Sequence, residues 1–203
     1  MQKRGSGTFA HMREIAPGIW HWTARHPKIG IDVSSYWLPR QALLIDPLAV
    51  PEDVDRADTI VLTNRHHLRG AEEAAERLRA SIHAPRSGMH EFEDGAGIEP
   101  YDPGDVLAGG AATVHEVGAI CPDESALHVP AVSALAVADG VIRYGELGFV
   151  PDHYIDDPAE TKDALKRAYL RLAEELEFDS LLTAHGEPLV GGARDALRDW
   201  ASN

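Results

Sequence analysis

The chain has 203 residues, 44% of them hydrophobic, with one cysteine and a formal net charge of -14. Its length and apolar content suffice for the core of one domain. The acidic balance argues against a nucleic-acid surface or an anionic membrane as partner. No apolar run approaches the roughly 20 residues that span a bilayer, and a lone cysteine excludes an internal disulfide.

The first residues, Met1-Gln2-Lys3-Arg4-Gly5-Ser6-Gly7, are polar and Gly-rich. Residues 1–12 read as a flexible leader or a cloning remnant, and 13–203 as a single domain. No secretory h-region is present, so the expected location is the cytoplasm. Apolar, β-branched segments predict strands near 18–23, 33–38, 42–46 and 59–63. An amphipathic helix follows at 71–80. From 86 to 105 the chain is rich in Gly, Pro and acids and reads as surface loop. Further strands are predicted near 111–117, 125–129, 133–138 and 141–144, with Asp139-Gly140 as a hairpin turn between the last two. Asp157, Pro158 and Glu160 occupy the N-cap, N1 and N3 positions of a capping box. Leu165, Ala168, Leu172 and Leu176 then share one helical face. A strand at 180–183 and a helix at 193–200, with Leu197 and Trp200 inward, complete the chain. Strands in a central sandwich with helices outside is the simplest layout, an α/β (α+β) fold.

The densest chemistry lies in Thr59-Ile60-Val61-Leu62-Thr63-Asn64-Arg65-His66-His67-Leu68-Arg69-Gly70. A buried strand here ends in a histidine-bearing turn and runs at once into a helix. Open α/β layers place ligands where strand ends meet helix starts, and paired histidines at such a turn invite a metal. No G-x-S-x-G elbow, P-loop, GxGxxG or H-E-x-x-H competes with this segment.

This segment resembles the signature turn of the metallo-β-lactamase superfamily, T-H-x-H-x-D-H-x-G. Asn64 stands at its first His, His66 at its second, Leu68 at its Asp and Arg69 at its third His. The resemblance extends along the chain. Residues 14–20 are similar to the family's opening strand, and residues 35–46 to the hairpin that follows. Residues 124–130 resemble the strand after the third ligand loop, which puts Cys121 where the family has a His. Tyr144-Gly145-Glu146-Leu147-Gly148-Phe149 is similar to the family's G-D-x-x-F, with Glu146 in place of the bridging Asp. Thr183-Ala184-His185-Gly186 is similar to the closing G-H-G turn. The resemblance implies a four-layer αββα sandwich over residues 13–203.

It also implies a four-donor set, His66, Cys121, Glu146 and His185, adequate for one zinc or other divalent ion. Leucine has no lone pair and arginine is a permanent cation, so Leu68 and Arg69 exclude a dinuclear site. Asn64, His67, Arg69, Asp152 and His153 are expected around the pocket, His67 as a solvated residue at the helix start. Two functions follow. One is a hydrolase of a small polar substrate with an eroded, at most mononuclear site. The other is an inactive ligand-binding or interaction module that holds no metal, its pocket closed by an Arg69–Glu146 ion pair. Either reading calls for a small-molecule partner. The sequence leaves substrate and oligomeric state open.

Overall fold

A computed structural model describes residues 11–92 and 97–203. Most of the expected leader, residues 1–10, lies outside the described residues. Met12 is already buried in the outer core.

The first sheet holds seven strands in chain order: β1 (Arg13–Ala16), β2 (Ile19–Arg25), β3 (Asp32–Leu38), β4 (Leu43–Ile45), β5 (Thr59–Val61), β6 (Ser81–Pro85) and β7 (Ile98–Tyr101). The first four pair antiparallel, and β4 through β7 pair parallel. The second sheet is built from β8 (Val106–Leu107), β9 (Ala112–Glu116), β10 (Ser125–Val129), β11 (Ala134–Val137), β14 (Ser180–Thr183) and β15 (Leu189–Val190). Its order is β15-β14-β11-β10-β9-β8, with β11 and β14 parallel. A separate two-stranded sheet, the hairpin of β12 (Ile142–Tyr144) with β13 (Glu146–Gly148), meets the turn after β14 through Arg143. Three α-helices occur among the described residues: α1 (Ala71–Leu78), α2 (Pro158–Glu175) and α3 (Ala193–Ser202). None is long and apolar enough to cross a membrane.

The central strands β4 and β11 are apolar and buried at every position because both faces of each sheet are covered there. Alternate residues therefore enter different cores. Leu43, Ile45 and Val61 face the second sheet, where they meet Val114, Leu127, Ala136 and Leu182. Leu44, Ile60 and Leu62 point the other way, into a core with Ala71 and Ala74 of α1. In the second sheet, Leu135, Val137 and Leu181 pack outward against Leu165, Tyr169 and Leu172 of α2 and Leu197 of α3. The result is the expected αββα layering. The capping box also forms: Asp157 Oδ1 accepts from Glu160 N at 3.1 Å, with Pro158 opening α2.

Two local expectations give way to tertiary context. The 86–105 segment contains a strand, β7, and a 3₁₀ stretch at Arg86–Phe92 as well as loop. Pro100 tolerates this placement because β7 is the sheet's edge. Asp139-Gly140 does not make a hairpin. Strand β11 already has β10 and β14 on its two sides, so the chain leaves the sheet after Asp139 and β12 pairs with β13 instead.

Candidate functional site

Four turns meet at one edge of the sandwich, each at the C-terminal end of a parallel strand. They follow β4, β5, β11 and β14, and they carry Asp46, the 63–69 segment, Asp139 and His185. Parallel pairing of β4 with β5 and of β11 with β14 is what brings like ends together. Cross-sheet hydrogen bonds fix the edge. Ser125 N donates to Thr63 O at 2.9 Å, Ser34 N to Ala184 O at 2.9 Å, and Tyr36 Oη to Thr183 O at 2.7 Å.

After β5 the chain forms a 3₁₀ turn at Arg65–His67, capped by Asn64, whose Oδ1 accepts from His66 N at 2.9 Å. The turn sends successive side chains in different directions. Arg65 swings to the fully buried Asp123, with Nη1 2.5 Å from Oδ1. His66 is exposed and His67 points inward.

His67 is held at both ring nitrogens. Nδ1 lies 2.9 Å from Asp46 Oδ2 and Nε2 lies 3.2 Å from Asp139 Oδ1. Asp46 also accepts from Thr63 N at 2.8 Å and from Thr63 Oγ1 at 2.6 Å. His185 Nε2 reaches the same Asp139 Oδ1 at 2.9 Å. Asn64 Nδ2 donates to the other oxygen, Oδ2, at 2.8 Å. His67, Asp139 and His185 thus offer three ligand atoms within 4.8 Å of one another.

The charges in this cluster are strongly coupled. Burial and the nearby Arg69 disfavour an imidazolium at His67, but the Asp46 and Asp139 carboxylates outweigh them and push its pKa up to about 9. Burial acts to raise the Asp139 carboxyl, yet His67 and His185 hold it well below the usual range. Asp46 behaves alike: burial opposes ionisation, and the field and hydrogen bond of His67 bring its pKa down.

Of the four donors expected together, only His185 stands in this cluster. Cys121 is buried beside Asp123, and burial followed by Asp123 and Glu124 pushes its thiol pKa up, away from the thiolate a metal needs. Glu146 is exposed on β13. Among the pocket residues expected, Asn64, His67 and Arg69 converge, with His67 buried between Asp46 and Asp139 rather than solvated at the helix start. Asp152 instead pairs with Lys162 at 2.5 Å, and the His153 ring lies tilted against Tyr154 with ring centroids 4.0 Å apart.

The Arg69–Glu146 ion pair does not form. Glu146 is exposed on β13, and Arg69 Nη1 donates to Ser34 O at 2.9 Å and Asp46 O at 3.1 Å. Its backbone is left-handed, with φ 42°, which turns the side chain back toward β3. Leu68 packs against the α1-side core.

Asp139 is the residue that local sequence reasoning misses. Asp-Gly after a short strand is equally a turn signal. The available clue is that it ends the fully buried run Ala134–Ala138, where a carboxylate must find partners.

A model of the metallo-beta-lactamase superfamily matches residues 12–202. The DIM-1 metallo-beta-lactamase superposes with a TM-score of 0.72 at 12% identity, covering 95% of this chain and 97% of that one. A metallo beta lactamase from Erythrobacter litoralis gives 0.67 at 13% identity, with 98% of each chain covered. The flavodiiron protein from Giardia intestinalis gives 0.68 at 15% identity, over 96% of this chain and 59% of that chain. At such identities the likeness concerns the fold. Curated protein sequences give no match. The αββα layering, the site at the shared strand ends and the family match over residues 12–202 lead to one assignment: this chain belongs to the metallo-beta-lactamase superfamily.

Proposed function

We propose that the pocket is the mononuclear metal site of a hydrolase acting on a small polar substrate. His67 Nε2, Asp139 Oδ1 and His185 Nε2 are the ligands of one divalent ion, zinc foremost. Two imidazoles and a carboxylate suit that ion, and three protein ligands leave a coordination position open to water or substrate. The observation that carries the reading is the Asp46–His67 contact at 2.9 Å. A carboxylate on Nδ1 fixes the ring and its tautomer and leaves Nε2 toward the site, the usual support for a metal-ligating histidine. Asn64 does the same for Asp139 by holding Oδ2, so that Oδ1 faces both imidazoles.

When bound, such an ion supplies Lewis acidity that activates water and polarises a substrate oxygen. Arg69 and Leu68 add no donor, so the site holds one ion and not two. The reaction is hydrolysis of an activated carbonyl, ester or related bond, and the proposal does not extend to a particular substrate.

A second reading, a ligand-binding module without metal, draws on the same charges. His67, its pKa pushed up to about 9, and Arg69 set positive charge against the Asp46 and Asp139 carboxylates. Elemental analysis of protein purified without added metal or chelator, followed by titration with zinc, separates the two. About one ion per chain supports the hydrolase. No zinc uptake favours the binding module, and two ordered ions per chain overturn the proposed ligand set.

A further inference from the structure

The contacts described above leave one strong hydrogen-bonding group at the site unmatched. Arg69 spends Nη1 on Ser34 O and Asp46 O. Its other terminal nitrogen, Nη2, is buried and has no partner among the described residues. A guanidinium carries five N–H donors in a fixed fork, and a buried donor left unpaired is costly enough to call for a partner. The neighbouring acids cannot serve. Asp46 Oδ1 and Oδ2 are taken by Thr63 and His67, and the two oxygens of Asp139 by His67, His185 and Asn64.

Two independent features point the same way. Arg69 adopts a left-handed backbone, φ 42°, a conformation that costs a side-chain-bearing residue about 1–2 kcal/mol. In addition, basic groups gather at this edge of a chain whose net charge is -14. His26, on the connection between β2 and β3, loses affinity for its proton first through burial and then through Arg69, Lys28, His185 and His67. His185 Nδ1 is a second buried atom without a partner.

We propose that Arg69 is the recognition residue for an anionic group of the ligand, a carboxylate or a phosphate, accepted at its unpartnered Nη2. The paired oxygens of either group match the fork of a guanidinium and make charge-assisted hydrogen bonds. The substrate class is thereby narrowed from small and polar to small and anionic. This rests on the pocket being the ligand site as proposed above, and does not require the metal.

The test uses the full chain stripped with chelator, so that no metal can hold the anion. Inorganic phosphate and acetate are titrated separately by calorimetry into the parent, Arg69→Gly and Arg69→Lys. Glycine suits the left-handed backbone and removes the guanidinium, whereas lysine keeps the charge and removes the fork. The parent should bind one of the two ions saturably, and which one distinguishes phosphate from carboxylate. Arg69→Gly should weaken that binding about tenfold or more, with Arg69→Lys in between. If the parent binds neither ion, or if Arg69→Gly binds as tightly as the parent, the proposal is overturned. Should Arg69→Gly fail to fold, Arg69→Lys decides: parent-like affinity overturns the fork, and a clear loss supports it. Zinc uptake measured on the same samples keeps the two proposals apart, since anion binding without zinc uptake sinks only the metal.

Discussion

Asp46 and His67 form a buried hydrogen-bonded pair across two parallel strand ends, Oδ2 to Nδ1 at 2.9 Å, with each side chain 3% exposed. The relationship is possible because β4 and β5 run side by side, so the residue after one strand meets the turn after the other. It makes Asp46 part of the site although it contributes no ligand atom.

Asp46→Asn keeps the shape but removes the charge that His67 faces and one of the two acceptor oxygens, such as the Oδ2 shared by Thr63 Oγ1 and His67 Nδ1. Breaking a buried, hydrogen-bonded pair costs about 3–5 kcal/mol, measurable by urea denaturation. Zinc affinity should drop about 10–100-fold, as for other changes behind a ligating histidine. A parent-like denaturation midpoint together with parent-like zinc affinity would show that the pair orients nothing.

The two possible ligand sets separate cleanly by mutation. His67→Ala, Asp139→Ala and His185→Ala should each abolish zinc uptake. His66→Ala, Cys121→Ser and Glu146→Gln should leave the stoichiometry at its parent value, since those side chains lie outside the cluster. Calorimetric zinc titration of the six variants reads this directly. Loss of uptake in the second group, with retention in the first, would restore the site expected from the family pattern.

Gly186 follows His185 with φ 81°, and a side chain there would run into the backbone of Arg143, where the β12–β13 hairpin docks on the 185–187 turn. Gly191 has a similar φ, 85°, and open space around it. Alanine at either position meets a similar left-handed penalty, about 1–2 kcal/mol. Gly186→Ala should lose about 1–3 kcal/mol more, because only it overpacks. Thermal melts of the pair isolate the clash, and equal losses would mean that the hairpin docks elsewhere in solution.

Acid stability should depend on His21. Burial, and then the charge of Arg13, bring its pKa down from 6.5 to about 4. The ring instead stacks on Tyr36 at 5.1 Å and meets Ser34 Oγ at 3.0 Å. As pH falls below 6.5 the unfolded chain takes up a proton that the native ring refuses, so stability is lost until about pH 4. The loss amounts to about 3 kcal/mol over that window. Denaturation midpoints of parent and His21→Phe, compared from pH 7 to pH 4, should diverge by that amount, with the variant less sensitive. Parallel curves would assign the acid response to other groups.

The amino-acid order alone determined the layers of this protein. Short runs such as Ala42 to Ile45 and Ile60 to Leu62, apolar on both faces and bounded by polar turns, read as strands covered on both sides. Asp157-Pro158 starts a helix by its own capping chemistry. The 59–70 segment announced a strand, a polar turn and a helix, and these are what form. The site was legible as a place and not as a set of residues. Whether His66 or His67 turns inward depends on Asp46, 21 residues away in sequence, reaching one ring and not the other. Asp139 carries the same local signal as any hairpin turn, and becomes a site residue only because β14 occupies the edge of β11 that β12 would have used. The same event leaves Glu146 exposed on the separate β12–β13 hairpin. Hydrophobic patterning is local and survives in the sequence, whereas convergence of polar side chains is a property of strand order, which only the folded packing decides.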